Sequence, residues 1–540
     1  MDFAFGTYIN DTLKLANHRA DRSGIQHQNH ITPIDPLPGE SVIIHLVTSG
    51  ISGIEHAALI YTTDEITPQG GRGTAQCGQV VMFEKTTIEW DSIVWDYLTH
   101  WQAVIPPQAD NTLVRYIISG WSADGPEVFA DYPPAQEQVQ HVAMGYFGNI
   151  PPDTPFEPSQ PSQPHIFTYH VDRTQAPDWA SDAIIYQLFV DRFYVGDGHT
   201  WRQTDDFNAV FGGTLWGVCD KLDYLAALGV NCIWLSPVWA SPSYHGYDVV
   251  DYRRVEPRLG GEDALRAVVT GAHQRGMRVL LDMACNHLSS QHPYFIEAQH
   301  NPDSPYRDWF IFGERFEAGY KGFFNVAEMP EINLAHPAAR AWMIENALYW
   351  LREYDIDGYR LDYANGPGPD FWTYFRRACK GVKPDCLLFG EIIEPPQVLR
   401  QYIGRLDGCL DFPLNDALRR TYATQHWDAA QCRAFLANHR AYFSSAFVMP
   451  AFLDNHDMDR FTYIADNDPE RLKTAVQFQM TQPQPVIIYY GSEVGLAQPR
   501  STHDEGLSIS RVAMVWDARQ NQEMLDFYKA QIAQRKQRKT

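Results

Sequence analysis

The pattern of apolar and polar positions changes character near residue 179. Before it, apolar runs rich in β-branched and aromatic residues end at Gly, Pro or Asp, and no helical periodicity separates them. Four such runs lie between residues 41 and 134: SVIIHLVT, HAALIYTT, QVVMFEKTTIEW and NTLVRYIISGW. They predict a β-sandwich domain over 1–145. A proline-rich stretch, PPDTPFEPSQPSQP, then predicts a linker over 146–178.

After residue 179, strand-like apolar runs alternate with segments of helical period. The predicted strands lie at 183–190, 230–235, 277–283, 357–362, 387–391, 408–412, 447–454 and 486–490. Strands joined by crossover helices form a parallel sheet, so this pattern predicts an α/β fold, a (β/α)8 TIM barrel over 179–540. The long interval after the third strand predicts an inserted lobe at about 288–333.

Composition excludes several kinds of partner. Lys and Arg number 43 and Asp and Glu number 66, so the formal net charge is −23, which disfavours nucleic acid. No apolar run is long enough for a membrane span. The first residues lack the pattern of a signal peptide, and the eight cysteines contain no CxxC pair. We therefore expect a cytoplasmic protein with reduced thiols.

Four tryptophans of the predicted sandwich have two interpretations. Trp90, Trp95, Trp101 and Trp121 could form a sugar-binding face or a dimer contact, or they could lie in the core. A strand tryptophan usually lies in the core, so the core is the favoured expectation.

The ends of the predicted barrel strands carry an unusual number of polar residues. In a TIM barrel, chemistry takes place at the carboxyl ends of the strands. The polar residues at strands three, four, five and seven are Asp282, Asn286, His287, Arg360, Asp362, Glu391, Asp454, His456 and Asp457. A single carboxylate at a strand end is unremarkable, whereas this combination predicts an active site.

These segments resemble the α-amylase family of retaining glycosidases and transglycosylases. The resemblance covers roughly 180–535 and is closest to the neopullulanase, cyclomaltodextrinase and maltogenic amylase branch, which has a β-sandwich before the barrel. The matching segments are DMACNH, GYRLDYA, FGEI and LDNHD, together with MPEIN, FGGTLWGVCDKLDYL and HGYDVVDY.

Residue chemistry suggests roles for two carboxyl groups. Retaining cleavage of an acetal needs two carboxyl groups about 5–5.5 Å apart. Arg360 precedes Asp362 by two residues on one strand, so both side chains face the same way, and we expect the cation to keep Asp362 ionised as the nucleophile. Glu391 follows the apolar run LLFG, and an apolar setting raises a carboxyl pKa, as an acid/base catalyst requires.

The resemblance implies further substrate contacts. Asp457 would be the third carboxylate and would hold the sugar's hydroxyl groups. His287 and His456 would donate hydrogen bonds to the same sugar, and Tyr247 would stack on its apolar face.

The resemblance implies roles for two further pairs of residues, and each role has an alternative. Asp248 and Arg460 would form a salt bridge at the inner end of the cleft, and a purely structural ion pair is the alternative. No cofactor is needed for the chemistry, but Asn286 or Asp197 would be a ligand of a structural calcium ion if one binds. An Asp-Gly turn such as that of Asp197 is more often only a turn.

Three features depart from the family pattern. Glu391 is followed by Ile-Ile-Glu rather than Trp-His, which disfavours cyclodextrins as substrates. Tyr363 is followed by Ala-Asn rather than Lys-His, which disfavours cleavage within long starch chains. The β-sandwich that usually follows the barrel is absent before Thr540. The N-terminal domain or a partner subunit, as in a homodimer, would cover that surface, or the chain is truncated.

The expected activity is hydrolysis of α-1,4-glucosidic bonds in maltooligosaccharides, with some α-1,6 cleavage and transglycosylation. An α-glucanotransferase or a glycosyl isomerase would use the same catalytic residues and is the alternative. A non-catalytic carbohydrate-binding protein is the alternative from another class, but it would be expected to lack a carboxylate of the set.

Overall fold

The computed structural model describes residues 11–539 apart from 64, 131–136, 139–140, 143, 146–149, 152–153, 157–163 and 197. The N-terminal part is built from antiparallel sheets, and the remainder is built around one parallel sheet. No α-helix in this described part of the chain combines the length and the hydropathy that a bilayer span requires.

The N-terminal part consists of two antiparallel sheets and a small hairpin. Its strands are β1 (Ile25–Gln26), β2 (Ile31–Thr32), β3 (Val42–Ser49), β4 (His56–Thr62), β5 (Gln69–Gly71), β6 (Thr74–Cys77), β7 (Gln79–Met82), β8 (Glu84–Asp91), β9 (Asp96–Ile105), β10 (Thr112–Trp121), β11 (Val128–Phe129) and β12 (Phe167–Val171). One sheet has the order β1-β3-β9-β8 with β2 beside β3, and the other has the order β11-β10-β4-β7 with β12 beside β10.

The two sheets share a core, as a sandwich requires. Alternate residues of β3, Ile44 and Leu46 among them, are buried and join Leu59 and Tyr116 of the other sheet in one hydrophobic cluster. Strand β12 lies inside the segment predicted as a linker over 146–178. Its pairing with β10 corrects that prediction: the chain returns to complete the sandwich before it enters the barrel.

Two of the four tryptophans expected in the core lie on the surface instead. Trp101 is buried, but Trp90 and Trp95 are 46% and 75% exposed. Strand β8 is the edge strand of its sheet, and its residues are almost all exposed, so Trp90 lies at the surface, where its ring contacts that of Tyr97 edge-on. Trp95 lies in the hairpin that follows, and its ring contacts Trp90 edge-on. Trp121 is half-buried.

The barrel strands lie close to the predicted positions. They are β13 (Ile184–Leu188), β14 (Cys232–Leu235), β17 (Arg278–Ala284), β18 (Gly358–Asp362), β19 (Leu387–Gly390), β20 (Gly408–Cys409) and β21 (Val486–Tyr489), while β15 (Trp239–Ala240) and β16 (Asp251–Val255) form a separate hairpin. All neighbouring barrel strands are parallel, in the order β20-β19-β18-β17-β14-β13-β21.

The predicted seventh strand closes the ring. Parallel bridges join Gly408 to Val448 and Ala451 to Val486, so 448–451 lies between β20 and β21. Pro450 has no N–H group to donate, which explains why this segment forms isolated bridges rather than a continuous strand. The fold is the predicted TIM barrel preceded by a β-sandwich.

Helices connect the barrel strands. In chain order the helices are α1 (Asp11–Ala20), α2 (Val190–Phe193), α3 (Leu215–Asp220), α4 (Leu222–Leu228), α5 (Gly261–Gln274), α6 (Pro293–His300), α7 (Pro337–Glu353), α8 (Gly368–Val382), α9 (Pro396–Leu399), α10 (Phe412–Leu418), α11 (Ala429–Tyr442), α12 (Phe461–Ile464), α13 (Pro469–Gln479), α14 (Thr502–Glu505) and α15 (Gln522–Lys539). The segment between β17 and α7 contains α6 and short bridges, including that between Phe310 and Ile332, and forms the inserted lobe.

A buried carboxylate joins the sandwich to the barrel. Asp370, in the first turn of α8, accepts hydrogen bonds from the backbone N–H of Thr168 at 2.5 Å and from Asn29 at 3.3 Å, and lies 2.8 Å from His165 Nε2. Burial would raise the pKa of Asp370, but the hydrogen bond with His165 and the nearby charge of Arg405 lower it overall. The sandwich is therefore fixed to the barrel by a charged group that is fully hydrogen-bonded.

Candidate active site

The candidate catalytic residues lie at the carboxyl ends of three adjacent strands. Asp282 is on β17, Arg360 and Asp362 are on β18, and Glu391 directly follows β19. In the pairing of β17 with β18, Asp282 lies opposite Arg360. In the pairing of β18 with β19, the residue that precedes Asp362 lies opposite the residue that precedes Glu391. Because parallel strands end at the same edge, the fold brings these side chains together.

A single arginine holds three carboxylates. The Arg360 side chain is fully buried, and its Nη1 donates to Asp282 Oδ1 at 2.7 Å and to Asp362 Oδ1 at 2.8 Å. Its Nη2 forms an ion pair with Glu391 Oε1 at 2.7 Å. The Asp282 side chain is inaccessible, whereas those of Asp362 and Glu391 are 11% and 9% exposed. Two carboxyl groups can therefore be reached from outside, and the third lies beneath them.

Arg360 does not distinguish the two accessible carboxyl groups. Burial raises the pKa of Asp362 well above its usual value despite Arg360, and the charges of Glu391 and Asp282 add to the effect. Burial likewise raises the pKa of Glu391, with Arg360 again opposing. Arg360 thus lowers the pKa of both carboxyl groups against the effect of burial, so the cation is shared and does not act on Asp362 alone. The ionised state expected of Asp362 stays a prediction.

The pKa of Asp457 is shifted in the opposite direction, below its usual value. Its Oδ1 accepts a hydrogen bond from Arg511 Nη2 at 2.8 Å, and its Oδ2 lies 2.9 Å from His456 Nε2. Burial would raise the pKa of Asp457, but the contacts with His456 and Arg511 lower it well below its usual value. Asp457 is therefore ionised, whereas burial favours the protonated forms of Asp362 and Glu391.

Tyr247 and His456 form a stack beside this group. Their rings are nearly parallel, at 3°, with centroids 5.6 Å apart. The Tyr247 hydroxyl donates to Asp282 Oδ2 at 3.0 Å and lies 2.6 Å from His456 Nε2, while Gln187 Nε2 lies 2.6 Å from His456 Nδ1. Both rings are thus held in fixed orientations by buried hydrogen bonds.

Aromatic residues of the inserted lobe border the other side. The buried ring of His287 stacks on Phe323 with centroids 4.7 Å apart, and neither of its nitrogens has a hydrogen-bond partner among the described residues. Burial lowers the pKa of His287 to about 4, so the ring is neutral near pH 7.

Tyr363, directly after Asp362, has strained backbone geometry. Its φ is 39°, a value that is uncommon for a residue other than glycine and costs about 1–3 kcal/mol. This conformation lets its N–H donate to Glu391 Oε2 at 3.1 Å, and its ring contacts Phe323 edge-on. The strain is therefore associated with the positioning of Glu391.

The family model described as "Alpha amylase, catalytic domain" matches residues 187–540. The chain belongs to the α-amylase family. Among relatives in this family, Alpha-amylase 2 of Dictyoglomus thermophilum is 37% identical over 371 residues, which cover 68% of this chain and 65% of the relative. The Intracellular maltogenic amylase of Bacillus subtilis is 36% identical over 390 residues, covering 69% of this chain and 65% of that protein.

A cyclomaltodextrinase of Geobacillus thermopakistaniensis is 34% identical over 419 residues, covering 74% of this chain and 69% of the relative. Among solved structures, one titled "Cyclomaltodextrinase" has a TM-score of 0.64 and 27% identity, and the match covers 95% of this chain and 84% of that one. The chain spans just under two thirds of the length of the first two α-amylase-family relatives, at 65%. The likeness to the solved structure includes the N-terminal sandwich.

The expected salt bridge between Asp248 and Arg460 is not present among the described ion pairs. Asp248 accepts hydrogen bonds from Ser243 Oγ and, at 2.6 Å, from Ser241 Oγ. Arg460 donates to the carbonyls of Ser510 and Tyr490 at 2.8 and 2.9 Å. Each charged group is thus held by polar groups of its own surroundings, which corrects the prediction.

The calcium expectation rests on two positions. Asn286 is buried at the edge of the inserted lobe, and no group of three or more His, Cys, Asp or Glu suited to a metal occurs in the described chain. Calcium binds six to eight oxygen ligands, amide and carbonyl oxygens as well as carboxylates, so the absence of such a group does not test Asn286, and its role stays a prediction. Asp197 lies outside the described residues, and its role stays a prediction.

Sequence reasoning missed the roles of two members of this α-amylase-family site. Asp282 was predicted as part of the strand-end set but without a role, and the register that places it opposite Arg360 supplies that role. Arg511 lies after β21 in a segment without helical or strand periodicity. Its Nε donates to the carbonyl of His456 at 2.9 Å and its Nη1 to Tyr244 at 2.9 Å. Only the three-dimensional structure brings it to Asp457.

Proposed function

We propose that the protein hydrolyses α-1,4-glucosidic bonds in short maltooligosaccharides with retention of configuration, and that it tolerates α-1,6 bonds. One observation carries this proposal: Asp362 and Glu391 touch one guanidinium group while both remain accessible at the barrel mouth. The relatives named maltogenic amylase, cyclomaltodextrinase and neopullulanase support the choice of an α-glucan.

The proposed reaction has two displacements. Glu391 transfers its proton to the glycosidic oxygen while Asp362 attacks the anomeric carbon, so the carbon–oxygen bond to the leaving sugar breaks and an ester to Asp362 forms. Asp362 Oδ1 is held by Arg360, which leaves Oδ2 to attack. Glu391 then takes a proton from water, whose oxygen displaces Asp362. The first step needs Asp362 ionised and Glu391 protonated, and the raised pKa of Glu391 favours its proton; in the second step Asp362 is an ester and Glu391, now ionised, acts as the base.

The neighbouring residues would bind the sugar under attack. Asp457, held ionised by His456 and Arg511, would accept hydrogen bonds from sugar hydroxyls. His287 would offer its ring nitrogens, and the Tyr247 ring would contact the apolar face. The chemistry requires no cofactor.

The experiment is to compare the wild type with Asp362→Ala and Glu391→Gln on maltotriose, pullulan and cyclodextrin, reading products by chromatography and anomeric configuration by NMR. Each substitution should reduce kcat by several orders of magnitude, and the wild-type pH profile should be bell-shaped. Near-normal turnover by either variant would rule out the assignment. Longer oligomers or a rearranged disaccharide from maltotriose would instead indicate the glucanotransferase or isomerase, and binding without turnover by the wild type would indicate a carbohydrate-binding protein.

We also propose a cytoplasmic location and a homodimer. The location is supported by eight cysteines without disulfides and by a relative named intracellular. The homodimer is supported by the exposed aromatic residues of the β8–β9 hairpin, Trp90, Trp95 and Tyr97. Sedimentation of the wild type and of Trp95→Ala tests the dimer, and a monomeric wild type at micromolar concentration would refute it.

A further inference from the structure

A cavity lies on the outer surface of the barrel, between the helices α11 and α13. Its volume is about 300 Å³, at the lower end of the range for small-molecule sites. The residues that line this α11–α13 pocket are Arg433, Leu436, Ala437, Arg440, Phe478, Thr481 and Gln482. None of them is acidic, although Asp and Glu outnumber Lys and Arg by 66 to 43 in the whole chain. The pocket is therefore a concave, positively charged site on an acidic protein.

The α11–α13 pocket lies away from the catalytic residues. Helix α11 leads into the segment 448–451 and helix α13 leads into β21, so the last turn of each helix lies towards the amino ends of the barrel strands. Arg440 is in the last turn of α11, and Phe478 is in the last turn of α13. Asp362 and Glu391 lie at the carboxyl ends of the strands. A ligand of this pocket would therefore leave the catalytic carboxyl groups untouched.

Two arginines of the pocket carry charges that no carboxylate of the described chain neutralises. Arg433 and Arg440 are seven residues apart, close to two helical turns, so both lie on one face of α11. Arg440 donates to Gln482 Oε1 at 2.9 Å, and neither arginine forms an ion pair with a described residue. Gln482 is itself fixed, because its Nε2 donates to the carbonyl of Phe478 at 2.9 Å. A neutral side chain thus orients Arg440 and leaves its charge free to meet an anion.

An arginine near the end of a helix often only binds the last carbonyl groups of that helix. In the α11–α13 pocket another residue does this for α13. The buried side chain of Arg535 donates, at 3.2, 2.6 and 2.6 Å, to the carbonyls of Met480, Gln482 and Gln484. The carbonyl groups at this end of α13 are therefore already bound, and Arg433 and Arg440 are not needed to cap it.

The lining of the pocket suits a phosphate ester of a ring-shaped polyol. One guanidinium group satisfies the two oxygens of a carboxylate, whereas two guanidinium groups together can bind the three free oxygens of a phosphate monoester. The half-buried ring of Phe478 offers an apolar floor beside Leu436, and such a surface contacts the apolar face of a sugar ring. The Thr481 hydroxyl donates to the Phe478 carbonyl at 2.7 Å, so its oxygen can accept a hydrogen bond from a sugar hydroxyl.

We propose that the α11–α13 pocket binds a sugar phosphate, with Arg433 and Arg440 on the phosphate group and Phe478 against the sugar ring. The inference goes beyond the proposed hydrolase function and uses none of the catalytic residues. A ligand that binds the folded state stabilises it, so a sugar phosphate should raise the unfolding temperature while the catalytic mouth stays open to a neutral saccharide.

The test is isothermal titration calorimetry of the full chain with glucose 6-phosphate at neutral pH and low ionic strength. The wild type should bind it with a Kd below about 1 mM, and it should bind gluconate, inorganic phosphate and glucose at least about tenfold more weakly. Arg433→Met and Arg440→Met should each weaken the binding of glucose 6-phosphate about tenfold or more, because each removes charge-assisted hydrogen bonds to the phosphate. Arg440→Lys keeps the charge without the planar fork, and its affinity should lie between those of the wild type and Arg440→Met.

Two matched controls locate the site. Arg352→Met removes an exposed arginine of the outer helix α7, and Arg511→Met removes a cation of the catalytic mouth; each should leave the affinity for glucose 6-phosphate within about twofold of the wild type. Urea unfolding checks the fold of the pocket variants. Arg433→Met breaks no described ion pair, so its free energy of unfolding should lie within about 1 kcal/mol of the wild type.

Binding that is lost in Arg511→Met but kept in Arg433→Met would place the ligand at the catalytic mouth and overturn the inference. The inference would also fall if the wild type did not bind glucose 6-phosphate up to about 10 mM, or if it bound gluconate or inorganic phosphate as tightly. None of these results depends on turnover, so failure of the inference and failure of the hydrolase assignment are distinguishable.

Discussion

Replacing Arg360 by methionine should destabilise the protein in a strongly pH-dependent manner. Methionine keeps much of the side-chain volume but removes the charge, which leaves Asp282, Asp362 and Glu391 buried without their shared cation. Breaking a buried ion pair by removing one partner costs about 3–5 kcal/mol. The contact with the inaccessible Asp282 accounts for most of this, because the other two carboxylates retain some contact with water.

The sign of the pH dependence follows from the direction of the pKa shifts. The pKa values of Asp362 and Glu391 are raised in the folded protein even with Arg360 present, and removing the cation raises them further. The folded state therefore keeps protons that the unfolded chain releases above about pH 4. The free energy of unfolding of the variant should fall as the pH rises, so its deficit should be largest near pH 7 and smaller near pH 5.

The assay is urea unfolding followed by tryptophan fluorescence at pH 5 and pH 7. Adding Asp282→Asn to Arg360→Met should restore about half of the lost stability, since it removes the least solvated of the unpaired charges. Arg352→Met is the control, because its ion pair with Glu345 is exposed and should contribute less than about 1 kcal/mol. An Arg360→Met variant as stable as the wild type at pH 7, or a deficit independent of pH, would refute the shared-cation account.

Three further substitutions test other parts of the structure. Arg511→Met should lower kcat/KM on maltotriose about 10- to 100-fold. It should also move the acidic limb of the pH–rate profile to higher pH, because Asp457 loses a cation that lowers its pKa. An acidic limb at the wild-type pH would contradict this. Asp370→Asn should lower the free energy of unfolding at pH 7 by about 2–4 kcal/mol, and the difference should vanish as the pH falls through the lowered folded-state pKa of Asp370; equal urea midpoints at pH 7 would count against it. Trp95→Ala should lower the free energy of unfolding by less than about 1 kcal/mol, and Trp101→Ala should lower it by about 3–5 kcal/mol, because only Trp101 is buried. Thermal unfolding measures both changes, and a larger loss for Trp95→Ala would contradict the reasoning.

The barrel was predictable because its strands are apolar throughout and are separated by helical periods. The buried strand β14 and the helix α5, with its Gly-rich start, show these two signals directly. The strand ends then placed Asp362 and Glu391 on neighbouring strands, because sequence order and spatial order coincide in a TIM barrel.

The errors arose where partners come from distant parts of the chain. Arg511 reaches Asp457 from an irregular segment that no periodicity marks, and Asp248 bonds serines rather than the distant Arg460. Trp95 was expected in the core because strand tryptophans usually are, but an edge strand followed by a hairpin leaves it in solvent. Local patterns define elements, and they do not reveal which loops meet.

The charge balance at the barrel mouth bears on which ligands can enter. The charged groups joined by ion pairs in the described part of this site are Asp282, Asp362, Glu391, Asp457, Arg360 and Arg511. Carboxyl groups outnumber guanidinium groups by two to one, and the guanidinium groups are already engaged. We therefore expect a sugar phosphate or a uronic acid to meet electrostatic repulsion at the mouth and a neutral saccharide to enter without it.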